Sequence, residues 1–162
     1  MSDHNLTAFL HMISVSEGTA GIGDDGYNVL VGSRASMPIL FGSYHDHPRV
    51  RIQLRADDKR TPKNEELSST AAGRYQILAR YFDAYREELN LPDFGPRSQD
   101  AIAVQLIVEC GALNDVRDGR FAQAVRKCRS RWASLPGAGY GQRENSMDDL
   151  AAAYVKAGGA MA

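Results

Sequence analysis

The sequence predicts an α+β fold, mainly helical with a small antiparallel β region. Three observations carry that prediction. Leu6, Phe9, Leu10 and Ile13 recur at the i, i+3, i+4, i+7 spacing of a helix with one apolar face. Val50, Ile52 and Leu54 alternate with Arg51 and Gln53, the period-2 pattern of a half-exposed strand. From about residue 75 the helical period returns and persists to near the end of the chain. A helix, then a short β region, then several helices is the order of a domain whose helices and strands are segregated.

The first helix has Asn5 as a candidate cap and Gly18 as a candidate stop. Gly21, Gly23, Asp24, Asp25 and Gly26 then form a turn-rich stretch, with short strands expected at 27–31 and 39–41 and the alternating strand at 50–54. Residues 55–69 are polar and contain Pro62, so they read as a surface loop; its length suits a mobile or functional segment, expected to settle over a bound ligand. Ile77, Leu78, Tyr81, Phe82, Tyr85 and Leu89 share one helical face, closed by Pro92. Ser98 is the expected cap of a helix that is apolar nearly all round over 101–108, as buried helices are, and Gly111 stops it. Phe121, Ala124, Val125, Cys128 and Trp132 mark a further helix. Ser146-Met147-Asp148-Asp149 marks the acidic start of the last one, before Gly158-Gly159.

The chain has 162 residues, enough for one domain that buries about two-thirds of its unfolded surface, so residues 1–162 are expected to form a single domain. With 43% hydrophobic residues and a net charge of −1, it has neither the composition of a disordered chain nor the basic excess of a nucleic-acid binder. No apolar run reaches the roughly 18 to 20 residues that span a bilayer, so no stable membrane association is expected. The start lacks the basic region and cleavage site of a secretory signal, which points to synthesis as a soluble cytosolic protein. Cys110 and Cys128 are too few for a disulfide scaffold and are expected to be reduced and buried.

Glu17 is the most informative candidate for chemistry. It lies four positions after Ile13, so a continued helix puts it on the apolar face. Burial and the negative end of the helix dipole both raise a carboxyl pKa there, which suits a general acid. From spacing alone, the commoner outcome is a helix-terminal glutamate turned to solvent. Ala72-Gly73-Arg74-Tyr75-Gln76 offers a flat ring and an amide, the combination that holds sugars, or else a junction in which Tyr75 is core. His45-Asp46-His47 would present two imidazoles on one strand face, but His4 and His11 lie in the first helix and Pro48 favours a turn, so no metal is expected. The glycines at 137, 139 and 141 do not match a phosphate loop. Neither cysteine has the electropositive, exposed setting of a nucleophile, and the basic residues of 49–63 read as a solvated loop. No cofactor is expected.

Several runs together resemble the lambda-type phage endolysins. They are Phe9-Leu10 through Ser16-Glu17-Gly18-Thr19, Gly26-Tyr27, Val31-Gly32, Asp46-His47-Pro48-Arg49 and Ala72-Gly73-Arg74-Tyr75-Gln76. The match continues through Asp83-Ala84-Tyr85-Arg86, Ser98-Gln99-Asp100-Ala101, Gly111-Ala112-Leu113 and the long block from Trp132 to Gln142. Collinear over nearly the whole chain, the resemblance implies a lysozyme-like fold with the small β region beside an active-site groove. It also implies lytic transglycosylase activity on peptidoglycan glycan strands, with Glu17 at the catalytic glutamate position. The Asp24-Asp25 turn and the insert around 57–67 depart from the family pattern.

Under that resemblance Glu17 protonates the glycosidic oxygen and then takes the proton of the muramic acid C6 hydroxyl. No second carboxylate is needed, unlike in ordinary glycosidases. Tyr75, Gln76, Tyr140 and Gln142 would line the groove, with Tyr27 and His47 at its rim or behind it. The protein would act as a monomer, wait in the host cytoplasm, and reach the periplasmic wall through a separate holin-type pore. Alternatives are a hydrolytic muramidase on the same fold, a metal-dependent amidase or peptidase using His45 and His47, and a wall-binding module without turnover.

Overall fold

The first helix, α1 (His4–Ser16), buries Asn5, Ala8, Phe9, Met12, Ile13 and Ser16, a stripe at helical spacing with a polar residue at each end. Asp3, not Asn5, occupies the N-cap position. Asn5 instead works inside the fold: its Nδ2 donates to the Arg117 carbonyl at 3.0 Å and its Oδ1 accepts from Ala160 N–H at 2.8 Å. The computed structural model describes residues 3–54, 68–141 and 143–162. The expected mobility of the 55–69 loop therefore falls largely outside the described residues. Its last two, Ser68 and Ser69, are a strand.

Seven further elements follow: β1 (Ile52–Gln53), β2 (Ser68–Ser69), α2 (Ala79–Glu88), α3 (Pro96–Glu109), α4 (Leu113–Arg117), α5 (Phe121–Cys128) and α6 (Met147–Lys156). Contacts divide the chain into two compact units, Met1–Ala20 with Asp100–Ala162, and Gly21–Gln99. The division at residues 99 and 100 falls within α3.

In the first unit α1 packs on α4 and α6, and α4 on α5. The Phe121 ring meets Phe9 edge-on at 6.2 Å and Tyr154 at 4.9 Å. Each such ring stabilises the fold by about 1.5–3 kcal/mol through burial. Ser146 caps α6 by accepting from Asp149 N–H at 3.1 Å, with Asp148 and Asp149 at the favourable end of the helix dipole. In α3, Ile102, Ala103 and Ile107 are fully buried, but Val108 is 44% exposed, so the helix has a solvent edge that its composition hid. It starts at Pro96, two residues before Ser98, because Pro suits the first helical position. Ser98 donates to Asp93 Oδ1 rather than capping.

In the second unit β1 and β2 pair antiparallel, with Ile52 opposite Ser69 and Gln53 opposite Ser68. The strands expected at 27–31 and 39–41 shrink to single bridges, Val29 with Leu40 and Leu30 with Ala72. Pro38 has no N–H to extend a ladder, and Gly32 turns away at φ +81°. A helix from Tyr75 does not form either. Gln76 sits at φ +53° and Ile77 bridges back to Ala72, so α2 begins only at Ala79. His47, Phe82 and Phe94 fill the core of this unit, with ring centroids 4.7 Å apart for His47–Phe94 and 5.0 Å for Phe82–Phe94. Among the described residues no helix is long and apolar enough to cross a membrane.

Candidate active site

Glu17 is the C-cap of α1. The helix closes there because Gly18 adopts φ +75°, which lets Gly18 N–H reach Val15 O (3.1 Å) and Thr19 N–H reach Ser14 O (2.9 Å). That closure leaves Glu17 at helical φ, ψ and on the face defined by Ile13 and Ser16, half-buried rather than turned to solvent. Burial pushes its carboxyl up to about 7 from the ordinary 4.5. A hydrogen bond from Ser134 opposes the rise: Ser134 Oγ donates to Glu17 Oε1 at 2.9 Å. A carboxyl poised near neutrality can hold a proton, deliver it, and take one back.

Ser134 is held in turn by Ser16, Oγ to Oγ at 2.8 Å, and Asn145 Nδ2 reaches Ser16 Oγ at 3.1 Å. The loop that carries Ser134 is closed by Glu144, whose two carboxylate oxygens accept from Gly137 N–H (2.7 Å) and Gly139 N–H (3.1 Å). Those two amides hold the Glu144 carboxyl below its usual range. Tyr140, in the same loop, is 58% exposed and its hydroxyl donates to the Ser130 carbonyl at 3.2 Å. Gln142 lies outside the described residues.

In the second unit a buried amide, Gln99, ties the Tyr27 backbone to the turn that precedes Tyr75. Gln99 Nε2 donates to the carbonyls of Tyr27 (2.9 Å) and Phe94 (2.8 Å), and its Oε1 accepts from Arg74 N–H (2.9 Å). Gly73 is required beside it. A Cβ there would lie 2.3 Å from Gln99 Oε1, and φ is +80°. Tyr75 is 2% exposed and meets Tyr27 edge-on at 6.4 Å, so its ring packs in the core, one of the two alternatives that the segment's composition leaves open. Tyr27 is half-buried, with the Arg74 guanidinium 5.1 Å from its ring centroid. Gln76 is half-buried and donates to Gly73 O at 2.9 Å.

His47 is 2% exposed and both ring nitrogens face protein. Nδ1 accepts from Arg49 N–H at 3.0 Å, which leaves Nε2 to donate to Ile77 O at 2.8 Å. Burial lowers its pKa, so the ring is neutral and structural rather than at a rim. The segment 44–46 is a bend, not a strand, so the two imidazoles of His45 and His47 do not share a strand face. Among the described residues no group of three or more His, Cys, Asp or Glu is placed to hold a metal.

The cysteines depart from expectation as well. Cys128 is fully buried but Cys110 is only half-buried, and a hydrogen bond from Cys128 pulls the Cys110 thiol down, with Arg131 adding to it.

The sequence matches the Endolysin family over residues 7–161. The chain belongs to the endolysin family. It is similar to the endolysin of Escherichia phage P2, 47% identical over 159 residues that make up 96% of this chain and 93% of that one. With the endolysin of Escherichia phage lambda it shares 47% identity over 156 residues, 94% and 90% of the two chains. Among solved structures it is similar to bacteriophage lambda lysozyme complexed with a chitohexasaccharide, at TM-score 0.87 and 45% identity, covering 98% and 97% of the two chains. A second structure of lysozyme from bacteriophage lambda matches at TM-score 0.82 and 44% identity. The fold of this family member is therefore lysozyme-like and α+β, as the sequence predicts.

The spacing of residues did not mark Ser16, Ser134, Glu144 and Asn145 around Glu17 in the first unit, nor Gln99 in the second. Ser16, Ser134 and Gln99 stand inside the runs that carry the family resemblance. Asn145 stands outside them, and nothing in its neighbours' spacing marks it.

Proposed function

We propose that this endolysin is a lytic transglycosylase. In this reading it cleaves the β-1,4 bond between N-acetylmuramic acid and N-acetylglucosamine in peptidoglycan and leaves 1,6-anhydro-N-acetylmuramic acid. The observation that carries the reading is a single carboxyl, Glu17, held near neutral pKa by burial against one hydroxyl donor. Protonated Glu17 gives its proton to the glycosidic oxygen as the C1–O bond breaks and positive charge develops at C1. The resulting carboxylate takes the proton of the C6 hydroxyl, whose oxygen closes the ring on C1. The proton returns to Glu17 and no water is consumed.

Three acids of the second unit, Asp24, Asp25 and Asp46, are each engaged by partners within that unit. Asp24 accepts from the Tyr44 hydroxyl at 2.6 Å, Asp25 pairs with Arg74, and Asp46 is held below its usual range by Arg49. That pattern favours a route in which an intramolecular nucleophile replaces an activated water. Chitohexasaccharide, the ligand of the lambda lysozyme structure, is a chain of β-1,4-linked N-acetylglucosamine, the same linkage type as the glycan proposed here. Tyr27, Gln76, Tyr140 and Gln142 are the candidates for glycan contacts. Residues 1–162 act as one catalytic domain and as a monomer, made in the host cytoplasm and acting in the periplasm after a holin-type pore opens.

Hydrolysis by water is the second reading, favoured by the name lysozyme carried by the matched structures. Both readings place Glu17 at the chemistry. Glu17→Gln is expected to lower lysis of purified sacculi at least about 100-fold while binding of glycan fragments changes little. Unchanged lysis by that variant would remove the mechanism and leave a different catalyst.

A further inference from the structure

We propose that Asn145 is a positioning residue for Glu17, acting through a directed chain of hydrogen bonds that runs Asn145 → Ser16 → Ser134 → Glu17. This inference rests on the reading of Glu17 as the catalytic acid, but its geometry stands independently and lies within one unit of the fold.

The direction of the chain follows from which atoms can accept. Asn145 Nδ2 lies 3.0 Å from the Ser16 carbonyl and 3.3 Å from the Ser134 carbonyl. Carbonyl oxygens only accept, so this end of the amide must be the nitrogen. The same nitrogen is 3.1 Å from Ser16 Oγ, its two hydrogens shared among three acceptors; an amide nitrogen does not accept, so the Ser16 hydroxyl keeps its own hydrogen for another partner. Its partner is Ser134 Oγ at 2.8 Å. Ser134 Oγ, already accepting, points its hydrogen at Glu17 Oε1, 2.9 Å away. Each link fixes the next, and the polarity set by Asn145 ends as a donor aimed at the carboxylate.

The backbone enforces the same register. Asn145 N–H donates to Ser134 O at 2.9 Å, so the two ends of the 134–145 loop are tied at the chain's own members. Between them Glu144 clamps the Gly137 and Gly139 amides. Ser16 is 7% exposed, so its hydroxyl is restricted to these internal partners.

The chain supplies what the proposed reaction lacks. Burial alone favours a carboxyl that never lets go of its proton, whereas the second half of the reaction needs Glu17 ionised and accepting. A donor held on Glu17 Oε1 stabilises that ionised form and keeps both states within reach. Further charged groups stand on the elements around this chain, among them Arg129, whose guanidinium lies beside Gly137. On α4, Asp115 pairs with Arg120 and Lys127, and Arg117 with Asp3. Glu144 is bound to the loop amides. Arg143 precedes it, His4 and His11 lie earlier on α1, and Asp148, Asp149 and Lys156 lie on α6. The causes of the Glu17 shift are burial and the Ser134 hydroxyl.

The experiment is a titration of the Glu17 side-chain carbon by NMR in the full-length protein, set beside the pH profile of sacculus lysis. Ser134→Ala is expected to raise the Glu17 midpoint by about one pH unit, the scale of a hydrogen bond to a charged group. Asn145→Leu, which fills the same space without a donor, and Ser16→Ala, which interrupts the chain with a good helix former, are each expected to raise it by about half a unit. The alkaline limb of the lysis profile is expected to move by the same amount. The Ser16→Ala/Asn145→Leu double variant should match Ser16→Ala alone. A midpoint that moves for Ser134→Ala but for neither of the other two overturns the proposal. So does a uniform fall in rate at every pH with the midpoint fixed, which is the mark of a purely structural role. Ser16→Ala keeps the test decisive should Asn145→Leu fail to fold. Full lysis by Glu17→Gln would instead defeat the functional reading and leave the titration result standing.

Discussion

Ser134 Oγ and Glu17 Oε1 lie 2.9 Å apart although 117 positions separate them in the chain. A loop near the carboxy terminus thus sets the charge behaviour of a side chain at the end of the first helix. Burial wins the contest between the two influences on Glu17, and the carboxyl stands at about 7 instead of 4.5.

That shift makes Glu17 a cost to stability with a defined pH window. Below about 4.5 the group is protonated whether the chain is folded or not. Between about 4.5 and 7 the folded state keeps a proton that the unfolded state has released, so unfolding free energy falls as pH rises, and above about 7 it levels off. Glu17→Gln has no such slope. Urea unfolding of both proteins is expected to show the variant gaining up to about 3 kcal/mol relative to the parent between pH 4 and pH 8. Equal differences at the two pH values would mean that the carboxyl is solvated.

Gln99 is expected to be among the most sensitive positions of the second unit. Gln99→Ala leaves two buried carbonyls and one buried amide without their partner, at about 1–3 kcal/mol each, so a loss of about 3–5 kcal/mol is expected by denaturant unfolding. Gly73→Ala should destabilise through the same amide, since its Cβ would sit 2.3 Å from Gln99 Oε1. A loss under 1 kcal/mol in both variants would show that the amide is not a staple.

Cys110 is expected to react with iodoacetamide at neutral pH while Cys128 does not. One thiol is half-buried and pulled down by its neighbour, while the other is fully buried and pushed up. Mass mapping of the alkylated protein checks this. Labelling of Cys128 in the folded state would contradict it.

The helical part of the fold was legible because burial on a helix repeats. Phe9, Met12 and Ile13 of α1, the stripe of α5 from Phe121 to Cys128, and the Ser146 cap of α6 all follow local rules. The β region was legible only as a region. Its pairings are one or two residues long, and Gly32 and Pro38 cut short the ladders that the alternation of apolar residues implies. Glu17 could be singled out from its distance to Ile13, but whether it faced protein or solvent was not a local matter. It depended on the partner that the fold brings to it, Ser134, 117 positions away. Asn145 was not legible at all and Gln99 only as a member of a matched run, because an amide that ties distant backbone groups leaves no period in the sequence. For Tyr75 composition left two readings, and which one holds depends on the turn at Gln76, whose positive φ accompanies a Tyr75 ring packed in the core.

The most direct test of the account is mass spectrometry of the fragments released from purified sacculi by the intact protein. Muropeptides ending in 1,6-anhydro-N-acetylmuramic acid, with no water gained, are the expected product of a single carboxyl acting as acid and then base. Fragments ending in a free reducing N-acetylmuramic acid, heavier by one water, would contradict it.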